Sequence, residues 1–301
     1  LITLIQTPLE NSPFFYAALE EWLVRSCDCS KTDYLLLYVN DDCVVVGRNQ
    51  CVYQEVHFNF WFNLPGKVVR RVSGGGTVFH DSGNLNFCFV SAFEEKKVNN
   101  YAYFNEPIRS FLLQKNVPAV FNHRNDILVN GKKISGSAQF TDRKNILSHG
   151  TLLVHSNLQK LSDALKENAF VVHTKAVSSV KSSVANISEF NPELCHIEHV
   201  RKELAQRLCA DVFTLSERDW ERVKHLQSQK YETYDWKMGR SPDAILQGKN
   251  FSLYLSKGVI DTVEVNHPDF SFLKKIESHP FEKQTLTHLL TESELNVLMR
   301  F

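Results

Sequence analysis

No charge of either sign predominates in this sequence: 34 lysines and arginines stand against 34 aspartates and glutamates. That balance gives no global field to draw the chain to nucleic acid or to an anionic membrane, so neither is expected as a partner. No apolar run approaches the length of a membrane span, and the first residues carry no signal-peptide pattern. The sequence opens on Leu1 rather than methionine, which is compatible with a processed or trimmed start. No CxxC pair occurs. The seven cysteines, Cys27, Cys29, Cys43, Cys51, Cys88, Cys195 and Cys209, are odd in number and irregular in spacing. That pattern is poor for a disulfide framework or a structural zinc site, and a reducing compartment is expected. His80, His123 and His149 show neither HxH nor HxxxH spacing, so they read as hydrogen-bonded structural histidines. Internal repeats and low-complexity segments are also missing. What is present, 43% apolar and 23% charged residues over 301 positions, fits a soluble globular protein of one large domain, or of a large one with a small satellite.

Asn11-Ser12-Pro13 reads as a helix start, with Ser12 as cap and Pro13 at the first helical position. Phe15, Leu19 and Trp22 then recur at helical spacing. Strands are expected at 34–40 and 43–50, joined by Asp41-Asp42. In 84–90, Leu85, Phe87 and Phe89 alternate with Asn86 and Cys88, as in a strand with one buried face. Cys43 and Cys88 are expected to be buried thiols. Residues 101–116 look helical. Asn130-Gly131 between two alternating runs predicts a hairpin within 126–140. A strand follows at 145–154, and helices at 157–168, 192–209 and 216–229. A second hairpin at 251–265 and two short helices end the chain. The change of pattern near 241–250 suggests a division into 1–242 and 250–301. A unit as small as the second must lean on the first.

Two segments carry more chemistry than their folds require. In VVRRVSGGGTVFHDSGN, Val68 to Asn84, three consecutive glycines let backbone N–H groups point into one concavity and let a ligand approach closely. Arg70 and Arg71 alternate along a strand, so one of them should face that concavity. The plainer reading is a flexible turn with a solvated arginine pair. Neither GxxxxGK[ST] nor GxGxxG is present. In GKKISGSA, Lys133 shares a strand face with Ser135, and Ser-Gly-Ser-Ala leaves room where a strand would carry bulk. An edge lysine beside a hairpin turn is ordinarily a solvated charge.

Taken together, GRNQ (47–50), RRVSGGGTVFHDSGN (70–84), RNDILVNGKKISGSA (124–138) and SHGTLLV (148–154) resemble the lipoate–protein ligase A family. AVSSVKSSVANISE (176–189) and DWKMGRSP (235–242) match more loosely. The resemblance implies an α/β (α+β) fold: a large catalytic domain of mixed β-sheets flanked by helices, as in biotin and lipoate protein ligases, with a small C-terminal α+β domain. It implies ATP-dependent activation of lipoate, with magnesium, to lipoyl-AMP. Transfer follows to a lysine of an E2 lipoyl domain of a 2-oxoacid dehydrogenase or of glycine-cleavage H protein. Lys133 matches the family's catalytic lysine. Arg70, Arg71, Ser73, Gly74, Gly75, Gly76, Ser135 and Gly136 match the lipoyl-adenylate wall. Thr77, Val78, Phe79, His80, Asn84, Arg124, Asn125, Asp126, Ala138, His149, Gly150, Thr151 and Val180 match the nucleotide side, with Asp126 as a candidate magnesium ligand. A monomer is expected, in the cytoplasm or alternatively in the mitochondrial matrix.

Other readings stay open at this point. A lipoyl or octanoyl transferase on the same fold would use a preformed acyl donor, with Cys88 as a candidate relay. Biotin ligation lacks its typical glycine-arginine loop, and a serine hydrolase lacks the GxSxG frame. A non-catalytic lipoate binder would need few phosphate-suited groups.

Overall fold

The computed structural model describes residues 2–8, 10–63 and 67–299. Its central layer is a six-stranded mixed sheet in the order β10-β11-β6-β2-β1-β13. The strands are β1 (Ile2–Gln6), β2 (Asp33–Tyr38), β6 (Asn84–Ala92), β10 (Ser137–Thr141), β11 (Asn145–Leu153) and β13 (Asp211–Thr214). β6 has buried residues all along it as far as Ser91, rather than on one face. Leu85, Phe87 and Phe89 enter a core with Phe104, Ile108 and Val200 of the helices Tyr101–Gln114 and Ile197–Leu208. Cys88 and Val90 enter another with Leu19 and Leu23 of the helix Pro13–Ser26. The side chains alternate between the two faces, but helices cover both faces rather than one, and Asn86 and Cys88 are buried as well.

A small sheet, β4-β3-β5, packs beside this layer: β3 (Cys43–Val46), β4 (Lys67–Arg70) and β5 (Val78–His80). β3 stops at Val46, four residues short of the expected strand end. Gly47 instead closes a turn in which its N–H meets Gln50 Oε1 at 2.8 Å. The Asn-Gly hairpin forms as expected between β8 (Ile127–Val129) and β9 (Lys132–Ser135), with β7 (Val120–Phe121) on its outer side. Asn130 and Gly131 both take positive φ, +48° and +77°, which suits a two-residue turn of the twist-matching kind. The register slips between Ile127 and Leu128, so Leu128 faces Lys133 while Ile127 faces Ser135. Ile134 is the extra residue, and it is fully buried.

The fourth sheet, β12-β14-β15-β16, joins β12 (Val171–Thr174) and β14 (Ala244–Gln247) to the C-terminal hairpin of β15 (Phe251–Ser256) and β16 (Val259–Val265). Its core takes in Leu253, Ile260 and Phe281 together with Val44, Val46, Tyr53 and Phe58. Phe58 stacks on Phe281 with ring centroids 5.5 Å apart. Cys43 and Cys88 are buried, as expected, and none of the seven cysteines forms a disulfide. Among the described residues no helix is long and apolar enough to cross a membrane.

Candidate active site

The two arginines ahead of the glycines have parted ways. Arg70 points away from the cleft and is wholly buried. Its guanidinium donates to the carbonyls of Gly47, Arg48, Gln50, Trp236 and Lys237 and to Ser241 Oγ. Arg70 therefore staples the Gly47–Gln50 loop to the helical segment Asp235–Gly239, and its expected place in a lipoyl-adenylate wall is not where the fold puts it. Arg71 turns into the cleft. Its Nη2 donates to Gly74 O at 2.6 Å and Gly76 O at 2.7 Å, its Nη1 to Val45 O, and its Nε to Ser73 Oγ. Burial lowers its pKa to about 10, with Glu20 opposing the shift, so it stays a cation at neutral pH.

Arg71 thus holds loop carbonyls rather than standing free to meet a ligand anion. Across a planar trans peptide the C=O and the following N–H point in opposite directions. With Gly74 O drawn toward Arg71, the Gly75 N–H turns outward, whereas the Thr77 N–H opposite Gly76 O is taken by Ser179 Oγ. Gly75 has φ of +87°, open to glycine but costly for other residues. The N–H groups of Gly74, Gly75 and Gly76 have no acceptor among the described hydrogen bonds, and all three residues are exposed. Such a run of free amides is an anion cradle. Gly47 backs it so closely that a Cβ there would lie 2.2 Å from Gly75 O.

Lys133 approaches the same space from β9. Its backbone is gripped on the far side by Ser183 O, which accepts its N–H at 2.8 Å, and by Ala185 N–H, which donates to its carbonyl. Its ammonium lies 2.9 Å from Asp126 Oδ1. Asn122 Nδ2 donates to the other Asp126 oxygen at 3.1 Å. Gly136 makes room for the ammonium, because a Cβ there would meet Lys133 Cε at 2.7 Å and Nζ at 2.8 Å. Gly136→Ala should therefore displace Nζ while leaving the fold intact, since the lysine end is flexible. A misplacement of about 1 Å can cost about 100-fold in rate. That loss, with an unchanged melting temperature, is the expected result of steady-state assays and thermal melts on this variant.

Two cavities meet at Lys133. The first, about 720 Å³, is lined by Arg71, Gly74 to Val78, Asp126, Lys133 and Gly136. His80, Arg124, Ala138, His149, Gly150, Thr151 and Val180 also border it. The second, about 1070 Å³, shares Thr77, Val78, Lys133, Gly136, Thr151 and Val180, and adds Phe79 and Ser135. Ser73, Asn84 and Asn125 line neither. Ser73 is buried behind the loop, Asn84 is buried in β6, and Asn125 is a positive-φ turn residue. Ser178, Ser179, Val180 and Ser182 border both cavities, on a stretch pinned by Ser179. The Ser179 hydroxyl donates to Glu55 and accepts from Thr77 N–H at 2.7 Å and Gln50 Nε2 at 2.9 Å.

Sequence reasoning missed Gln50, Glu55, Ser179, Tyr38 and Glu20. Gln50 ends the GRNQ segment, and nothing local in that segment marks its bonds to Gly47, Thr77 and Ser179. Glu20 could have been flagged as an acidic residue beside Leu19 on a helix face that is otherwise core.

The histidines behave as structural groups where bonds are seen. Asn40 Nδ2 lies 2.9 Å from His80 Nδ1, and burial pushes the His80 pKa down to about 3. His149 sits between Glu20 and Ser73. Among the described residues no cluster of three or more His, Cys, Asp or Glu could hold a metal. Asp126 has its oxygens engaged by Lys133 and Asn122, which does not suit it to hold a resident magnesium ion.

Residues 12–209 match the model of the lipoyl protein ligase A/B catalytic domain. The chain belongs to that family. It is 38% identical over 239 residues to lipoate-protein ligase LplJ of Bacillus subtilis, across 77% of this chain and 72% of that one. A lipoate protein ligase of Thermoplasma acidophilum with bound lipoic acid superposes with a TM-score of 0.68 and 26% identity. That match covers 79% of this chain and 98% of the other. A lipoate-protein ligase A bound with ATP gives a TM-score of 0.67 at 26% identity, over 79% and 98% of the two chains. The protein is thus an enzyme of the lipoate–protein ligase family with a mixed α/β fold.

Proposed function

We propose that this protein activates lipoate with ATP and then passes the lipoyl group to a lysine of an acceptor protein, an E2 lipoyl domain or glycine-cleavage H protein. In the first step a carboxylate oxygen attacks the α-phosphorus, and pyrophosphate leaves with its magnesium. In the second, the acceptor amine attacks the carbonyl carbon, the bond to AMP breaks, and the amine gives up a proton.

The observation that carries this reading is the place of Lys133, a cation at the junction of two cavities beside three free glycine amides. A mixed anhydride spanning the junction would set its anionic phosphate and polarised carbonyl against that charge. The first cavity has the size usual for small-molecule sites. The lipoic acid and ATP found in related ligases support the same substrates here. A division at 1–242 and 250–301 is proposed with it, the second unit acting as an accessory domain.

An acyl-cysteine relay finds no support, because Cys88 is fully buried and its thiol pKa is pushed well above the ordinary value by that burial. Transfer from a preformed lipoyl-AMP is separated by one assay: pyrophosphate release from lipoate and magnesium-ATP with no acceptor present. Release is the expected result. A well-folded protein that releases none, yet lipoylates an acceptor when given lipoyl-AMP, is a transferase.

A further inference from the structure

Beside the glycine loop, Glu20, Tyr38, His149 and Arg71, all on the wall of the first cavity, join with Ser73 in one continuous hydrogen-bonded line. Glu20, on the helix Pro13–Ser26, is 2% exposed. Its Oε2 lies 2.7 Å from His149 Nδ1, and His149 Nε2 lies 2.7 Å from Ser73 Oγ. Arg71 Nε donates to Ser73 Oγ at 2.9 Å. Tyr38 completes the far end, its hydroxyl donating to Glu20 Oε1 at 3.0 Å.

A carboxylate only accepts, so the bond between His149 and Glu20 is donated by the His149 Nδ1–H. Ser73 Oγ accepts from Arg71 Nε and shares its other bond with His149 Nε2. The guanidinium and the carboxylate are a buried ion pair bridged by a hydroxyl and an imidazole, in surroundings where each bond polarises the next.

The distances are those of a nucleophile, its base and an orienting acid. Ser73 is nonetheless 1% exposed, borders neither cavity, and has a lone pair taken by Arg71. A hydroxyl so placed is not presented to an acyl carbon. The output of the line is the position of Arg71, whose other donors hold Gly74 O and Gly76 O.

We propose that Glu20 is a positioning residue: through His149 and Ser73 it orients Arg71, and through Arg71 it fixes the shape of the glycine loop. The proposal rests on the function above only for the identity of the anion that the loop receives.

Glu20→Gln keeps the volume and removes the charge; Ser73→Ala cuts the line in the middle. Hydrogen exchange reads the loop at two bordering amides. Arg48 N–H is held by Ser73 O at 2.8 Å, and Thr77 N–H by Ser179 Oγ at 2.7 Å. Each variant should speed exchange at both amides by about tenfold while β11 keeps its protection, and should lower kcat/KM for pyrophosphate release by about tenfold, the weight of one charge-assisted bond. The double variant should be no worse than either single one, because both act through one line. Unchanged exchange in both variants, additive losses, or an equal loss of protection in β11 would overturn the proposal. If wild type releases no pyrophosphate, the exchange result still decides it, and only the proposed function fails.

Discussion

Lys133→Ala should lower pyrophosphate release from lipoate and ATP by about 100- to 1,000-fold, the usual cost of removing one preorganised electrostatic donor. The size of the effect follows from how the ammonium is held. Its strand is pinned by Ser183 and Ala185, its head by Asp126, and the space it fills is cleared by the absence of a side chain at Gly136. A charge fixed before reaction costs no reorganisation during it. The same variant should fail to transfer from supplied lipoyl-AMP. A free lysine has a pKa of about 10.4, so only about one acceptor amine in two thousand is neutral at pH 7. A fixed cation beside the carbonyl disfavours the protonated amine and stabilises the developing oxyanion. Both half-reactions are measured separately, by pyrophosphate release and by acceptor lipoylation. Unimpaired transfer from lipoyl-AMP would confine Lys133 to the first step.

Arg70→Met should destabilise the fold by roughly 3–5 kcal/mol, counting several buried acceptors left without donors at about 1–3 kcal/mol each, less what water recovers. No carboxylate pairs with Arg70 among the described salt bridges; carbonyl dipoles from a loop and a helical segment offset its charge. The loop, Gly47 to Gln50, backs the glycine loop, and the helical segment Asp235–Gly239 precedes the C-terminal hairpin. Denaturant unfolding at 25 °C measures the loss. A change below about 1 kcal/mol would show that the carbonyls are resolvated freely, and that Arg70 is no staple.

These two residues also show what could be read in advance. Lys133 was legible because Asn130-Gly131 sets its hairpin locally, and because small residues after it marked open space. Its face was harder to read. The bulge at Ile134 breaks strict alternation, so Lys133 borders both cavities while Ser135 borders only the second. The arginine pair was half legible: alternation said that one would face the cleft, and nothing local said which. Glu20 left one local trace, an acid on a core-facing helix face, and its partner His149 was hidden because it lies far away in sequence.

The sequence by itself determined the family, the Asn-Gly hairpin, the glycine cradle and the lysine beside it. Each depends on short-range geometry, on positive φ, missing side chains and residue order, that a few neighbouring residues dictate. Tertiary structure alone decided that helices cover both faces of β6, that Arg70 ties two distant segments while Arg71 holds the glycine-loop carbonyls, and that Glu20 meets His149 and Ser179 meets Glu55 and Thr77. Those outcomes are set by which distant carbonyls and carboxylates come to surround a buried polar group, and such partners exist only once the layers have packed.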